Sequence, residues 1–154
     1  MHLPLPRRLR ELAESVSTMT LATTGADSFP YATPVYFASD ECLNLYFFSE
    51  PTSLHSQHSA QNPQAAAAIY PPCQGWRDIR GLQLRGTVHL VESGECWDQA
   101  WNLYVAKFPF VRHLKAVVAK GHMYSFIPIW IRLVDNAQGF GYKEEFHIPS
   151  SQPS

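Results

Sequence analysis

The stretch Ala32-Thr-Pro-Val-Tyr-Phe-Ala-Ser-Asp-Glu-Cys-Leu-Asn-Leu-Tyr-Phe-Phe-Ser49 decides the fold, together with Glu50-Pro-Thr-Ser-Leu-His-Ser-Gln-His-Ser-Ala-Gln-Asn-Pro63 and Gln64-Ala-Ala-Ala-Ala-Ile-Tyr70. Its first part has the pattern of a β-hairpin. Val35-Tyr-Phe37 supplies one arm, Leu43 to Phe48 the other, and Ser39-Asp-Glu41 the turn. Pro51 with Thr52 and Ser53 then marks a helix start, and Asn62-Pro63 its end. The first amides of a helix have no intrahelical partner and sit at its positive pole, so this strand-to-helix junction has the chemistry to hold an anion. Ala65 to Tyr70 follows as a strand; its four alanines also suit a helix, and the flanking order favours the strand.

Working outward, Pro6 opens a helix over Arg7 to Ser17, with Leu9, Leu12, Ala13 and Val16 on one face. Met19 to Thr23 and Phe29 to Phe37 form strands. Pro30 and Pro34 within the second cannot donate to a ladder, so they belong at an edge, at a bulge or beside a ligand. Leu82 to Val91 is a long strand in which Gly86 marks a bulge or a close backbone approach. Glu95 to Lys107 is a helix whose Trp97, Trp101 and Tyr104, continued by Phe108, form an aromatic stripe suited to core or dimer packing. A second helical piece spans Phe110 to Val118, and the last strand His122 to Val134. Strands without strict βαβ alternation make this an α+β chain, a mostly antiparallel barrel with flanking helices in one domain over residues 1–148. Residues 149–154, rich in Ser and Pro, are expected to be a disordered tail.

Composition bounds the partners. The chain has 154 residues, 45% hydrophobic and 13% aromatic, which suffices for one core. Twelve basic and thirteen acidic residues give a net charge of −1, so no electrostatic pull toward nucleic acid or an anionic membrane is expected. Cys42, Cys73 and Cys96 are far apart and form no C-x-x-C pair. With no apolar leader, that pattern suggests reduced thiols in a soluble, cytoplasmic protein. His55 and His58 share a helix face, but no third ligand has a recognisable spacing, so no metal site is expected.

The Thr33-Pro-Val-Tyr-Phe37 strand, the Leu45-Tyr-Phe-Phe-Ser49 strand and the short helix ending in Asn62-Pro63 resemble the FMN-binding split barrel of the pyridoxamine 5′-phosphate oxidase-like superfamily. Ile79-Arg-Gly-Leu-Gln-Leu-Arg-Gly86 resembles the strand that follows there. Phe108-Pro-Phe-Val-Arg112 and Gln138-Gly-Phe-Gly-Tyr-Lys143 are similar to the small YhbP-like branch. The resemblance implies a split barrel, a homodimer with a cofactor cleft between the chains, and FMN as cofactor. It implies the phosphate at Ser49, Thr52, Ser53 and His55, and the ring along Thr33, Pro34, Val35, Tyr36 and Gln83.

From the residues alone, Ser49 and Thr52 are equally turn caps, His55 a surface histidine, Pro34 an edge residue and Gln83 an exposed strand residue. Trp76 could stack on a ring or serve an interface. Many relatives carry Lys or Arg where this chain has Leu54 and His55, so the permanent charge is absent here. Two functions stand: an FMN-dependent redox protein, an oxidoreductase of unknown substrate with no assignable catalytic residue, or a non-enzymatic binder of haem or another planar ligand, or of no cofactor.

Overall fold

The structure, a computed structural model, describes residues 4–149. Of the tail expected from sequence, only Pro149 lies among them. The chain runs α1 (Arg7–Glu14), β1 (Thr18–Thr24), β2 (Pro30–Tyr36), β3 (Ala38–Ser39), β4 (Leu45–Ser49), α2 (Leu54–Gln61), β5 (Gln64–Ile69), β6 (Arg80–Leu90), α3 (Glu95–Lys107), α4 (Lys115–Lys120), β7 (His122–Asp135) and β8 (Lys143–His147). Short 3₁₀ turns lie at Trp76–Asp78, Pro109–His113 and Asn136–Gln138. The fold is α+β, a single curled antiparallel sheet in the order β2-β1-β5-β6-β7-β4-β3 with flanking helices. Strand β7 is long enough to hold two partners end to end on one side. Its first half pairs β4 and its second half pairs β8, while β6 runs along its other side.

Side-chain alternation explains which face is filled. Met19 and Leu21 of β1, Leu45 and Phe47 of β4, Leu82 and Leu84 of β6, and Ile131 and Leu133 of β7 point to the concave side and are buried. Helix α1 lays Leu9, Leu12 and Ala13 into the same core, the stripe its spacing dictates. Each such large side chain contributes roughly 1.5–3 kcal/mol on burial. Lys107 of α3 is tied to this helix. Its Nζ donates to the carbonyls of Ala13 and Val16 at 3.2 and 2.7 Å and lies 3.9 Å from the centre of the Phe37 ring.

The aromatic stripe packs on the convex side. Trp101 and Tyr104 meet Phe48 edge-on, Phe108 lies against Tyr104, and Trp97 stacks on Trp101. Tyr104 and Phe108, with Ala38 and Val111, form a second, smaller core over β3 and β4 against which Phe48 and Trp101 pack.

Two expectations change. The arm opposite β4 is Ala38–Ser39, not Val35 to Phe37. Val35 and Tyr36 pair instead with Met19 and Thr18 of β1, because the long alternating β1 offers seven partners where β4 offers two. The turn lies one step later than Ser39 to Glu41. The Asp40 carboxylate accepts from the backbone N–H groups of Cys42 and Asn44, the Asn44 side chain and the Tyr46 hydroxyl, while Leu43 takes a positive φ of 57°. After β7 the chain adds an eighth strand whose Phe146 packs on the core, while Phe140 is 84% exposed beside Trp76. No helix among the described residues is long and apolar enough to cross a membrane.

Candidate functional site

Eight residues build the junction ahead of α2. Ser49 ends β4 on the concave parity, and Ser53 occupies the N-cap position of α2. The Ser53 hydroxyl does not cap the helix amides. It donates instead to the Glu50 carbonyl at 2.7 Å, and its oxygen also lies 2.7 Å from the Ser56 hydroxyl. It also lies 3.0 Å from the Ser49 hydroxyl and 3.3 Å from Nε2 of His55, which is hydrogen-bonded to Ser49 as well. Among the described residues the backbone N–H groups of Leu54, His55 and Ser56 have no acceptor, as the first turn of a helix leaves them. The junction therefore gathers three hydroxyls, one imidazole and three free amides within eight residues.

That set is rich in donors and lacks a fixed charge. His55 is half-buried against Phe47, and burial, aided by the neighbouring His58, pushes its pKa below the usual histidine value. His58 turns away from it, its Nδ1 3.1 Å from the Thr23 hydroxyl and its ring edge-on to Tyr31. The two histidines share a helix but not a target. Among the described residues no group of three or more His, Cys, Asp or Glu is placed to hold a metal ion.

The nine residues singled out from sequence fall into separate places. Ser49, Ser53 and His55 meet directly. Thr52 is exposed and makes no side-chain hydrogen bond among the described residues. Ser56, which joins the cluster, was missed; its signal was its place three residues after Ser53, one helical turn on. Thr33 and Val35 pair with Leu21 and Met19 and face the concave side, whereas Pro34 and Tyr36 face outward from β2, an edge strand. Gln83 is exposed on the outer face of β6. Pro34, Thr20, Ala68 and Gln83 form one row across β2, β1, β5 and β6. Three strand spacings separate its ends, about 14 Å. One chain thus assembles the junction but keeps Gln83 well apart from Pro34.

Donor set and fold together define a split-barrel protein with an anion-suited helix terminus. A sequence model of the family described as pyridoxamine 5′-phosphate oxidase matches residues 5–134, so the chain belongs to this family. It is 28% identical over 108 residues to a UPF0306 protein of Yersinia pseudotuberculosis, covering 70% of this chain and 69% of that one. This is consistent with the YhbP-like branch. Among solved structures, a heme binding protein from Mycobacterium smegmatis superposes with a TM-score of 0.75 at 18% identity. That match covers 94% of this chain but only 60% of the other. The heme storage protein HutZ of Vibrio cholerae gives 0.69 at 16% identity, covering 82% and 91%. At such identities these likenesses speak for the fold.

Proposed function

We propose that this chain is an FMN-binding flavoprotein with a redox role, acting as a homodimer in the cytoplasm. The observation that carries the reading is the junction, where free amides of Leu54, His55 and Ser56 converge with the hydroxyls of Ser49 and Ser53. A phosphate dianion needs several donors at once, and these fit it. His55 adds a bond that strengthens when its imidazole is protonated. FMN when bound supplies the electron or hydride chemistry, while the chain's residues bind, orient and exclude water. Thr33, Pro34, Val35, Tyr36 and Gln83 are proposed for the ring, and Thr52 is left out of the phosphate set because of its exposure.

The distances support a second copy. Pro34 and Gln83 stand too far apart in one chain to touch one ring system edge, so Gln83 of a second copy completes the cleft. Among the described residues strand β2 pairs with β1 alone, and prolines at 30 and 34 remove two donors from it. The copies therefore meet by side-chain packing rather than by extending the sheet. The cytoplasmic placement is supported by the three cysteines, which are all free.

The second reading is a carrier of haem or another planar ligand on the same barrel, favoured by the names of two structural neighbours. The absorbance spectrum of freshly purified protein separates the two: a flavin spectrum supports the first, a Soret band the second. Titration then tests the junction. FMN should bind more tightly than riboflavin, and Leu54→Arg should tighten FMN alone by supplying a permanent charge. Equal affinity for FMN and riboflavin overturns the phosphate assignment, and a stable monomer in sedimentation overturns the two-chain cleft.

A further inference from the structure

Exposed aromatic side chains gather at two places. At the end of β2, Tyr36 meets Phe108 and Phe110 edge-on, and Tyr36 and Phe110 are each about half-exposed. Beyond the start of β6 and the end of β7, Trp76 and Phe140 meet with ring centres 5.8 Å apart, both open to solvent. Hydrogen bonds hold this second pair. Buried Asn136 donates from its side chain to the Trp76 carbonyl at 2.8 Å and accepts from the Gly141 N–H at 3.0 Å, while its own N–H donates to the Ile79 carbonyl. Gly139 and Gly141, at φ of 143° and 74°, allow the turn that projects Phe140 outward. Within one chain β1 and β5 separate β2 from β6, and among the described residues no aromatic contact joins the two pairs.

Symmetry sets how the pairs stand in two copies. Packing two sheets face to face with Pro34 of each opposite Gln83 of the other needs a two-fold axis that reverses the row Pro34-Thr20-Ala68-Gln83. That axis runs along the strands, between β1 and β5. The outward side chains beside it are Thr18, Thr20 and Ala22 of β1 and Ala66 and Ala68 of β5, all short and uncharged. Two curled sheets can approach closely there and diverge toward β2 and β6, which leaves a cleft on each side. An axis along the strands keeps each residue's height along them. One step from the row, Tyr36 and Thr18 are level with Gly81, which packs against Tyr70. Tyr36 of one copy then faces Gly81 of the other, where no side chain stands, and the turn just beyond carries Trp76 with Phe140. In the opposite direction along the strands the register shifts. Arg85 pairs with Trp130 but Gly86 with Pro128, so Ile129 is an extra residue in β7, and a Cβ on Gly86 would lie 2.1 Å from the Ile127 carbonyl oxygen. A hollow opens there on the outer face, lined by Ala22, Ala66, Arg85, Trp130 and His147, and the same axis sets it against Ala32 of the second copy.

We propose that the Trp76–Phe140 pair of one copy docks on the Tyr36–Phe110 pair of the other and closes the end of the cofactor cleft, walling the flavin ring from water. The inference rests on the two-chain cleft proposed above. Large aromatic side chains held in place on the surface are the usual anchors of an interface, and edge-to-face contact adds to the area they bury. The wall touches the ring rather than the phosphate, so it acts on FMN and riboflavin alike.

Sedimentation equilibrium of the full chain without ligand reads the contact. Phe140→Ala and Tyr36→Ala should each raise the dimer dissociation constant about tenfold or more, as truncating an interface anchor does. The double variant should be no more than about threefold weaker than the worse single one, because both changes remove the same contact. Phe140 stands on an exposed turn, so its truncation leaves the fold intact. With flavin added, Phe140→Ala should weaken FMN and riboflavin by equal factors. Mixing Tyr36→Ala chains with Phe140→Ala chains should restore native-affinity flavin sites that neither variant has alone, since one cleft of each mixed dimer keeps both native residues. The proposal is overturned if Phe140→Ala dimerises as tightly as the native chain, if the two changes add in full, or if mixing restores no site in a chain that binds flavin. A stable native monomer overturns the two-chain cleft as well. A native dimer that binds neither flavin overturns the flavin reading alone, because the sedimentation arm needs no ligand.

Discussion

The junction ahead of α2 and the hollow on the outer face are built in opposite ways. The junction comes from residues 49–56, close neighbours in sequence, and its donors are neutral and bonded to one another. The hollow, of about 580 Å³, comes from six strands spread from Ala22 to His147, and Arg85 on its wall is a permanent cation with no acceptor among the described residues. Burial can shift the proton of His55 but cannot remove the charge of Arg85. The difference teaches that local sequence can collect hydrogen-bond donors, whereas a concave site with a free charge depends on strand register.

The largest expected effect falls on that register. Gly86→Ala places a methyl group against the Ile127 backbone, and the bulge cannot yield without breaking the β6–β7 ladder. Stability should fall by more than about 3 kcal/mol in urea unfolding, at the high end for a single substitution. A loss under about 1 kcal/mol shows that the bulge can relocate, and the hollow would then not be fixed by this glycine.

At the junction, His55→Ala should weaken FMN by roughly 10- to 150-fold at pH 6, the span of a charged hydrogen bond, while riboflavin is unaffected. The loss should shrink as pH rises toward 8.5. It should do so earlier than for an ordinary histidine, because burial already holds the His55 pKa down. Fluorescence quenching across pH measures this. A pH-independent loss makes His55 a packing residue rather than a phosphate donor.

Lys107 gauges how burial acts on a charge in this fold without any ligand. Burial pushes its pKa down to about 8 from 10.5. Between those values the unfolded chain binds more protons than the folded one, so stability rises with pH across the window. The rise should be roughly 1 kcal/mol after allowing for solvent screening. Tyr104, pushed up to about 12 by burial, has the opposite sign above pH 10, so the rise is read between pH 8 and 10. Lys107→Met should remove it; an unchanged slope assigns it to another group.

The smallest effect is expected at Thr52, which is exposed and outside the hydrogen-bonded cluster. Thr52→Ala should change FMN affinity by less than about twofold, within the usual range for a surface substitution. A tenfold loss would return Thr52 to the phosphate set and enlarge the junction.

Sequence by itself determined what short-range physics controls. The spacing of Leu9, Leu12 and Ala13 specified a one-sided helix, Asn62-Pro63 stopped α2, Gly86 marked the bulge, and the Trp97-to-Phe108 stripe announced packing rather than a cofactor surface. Ser49, Ser53 and His55 could be grouped because a strand end and the next helix start must be close in space. Tertiary structure alone decided which strands meet. Ala38–Ser39 displaced Val35 to Phe37 as partner of β4 because pairing with β1 satisfied seven residues of β2. Strand β8 was not legible because Lys143-Glu-Glu-Phe-His147 carries little apolar pattern, and the open second half of β7 supplies its ladder. The meeting of Arg85, Trp130 and His147 had no sequence signal, since a one-residue slip of register turns every side chain to the opposite face.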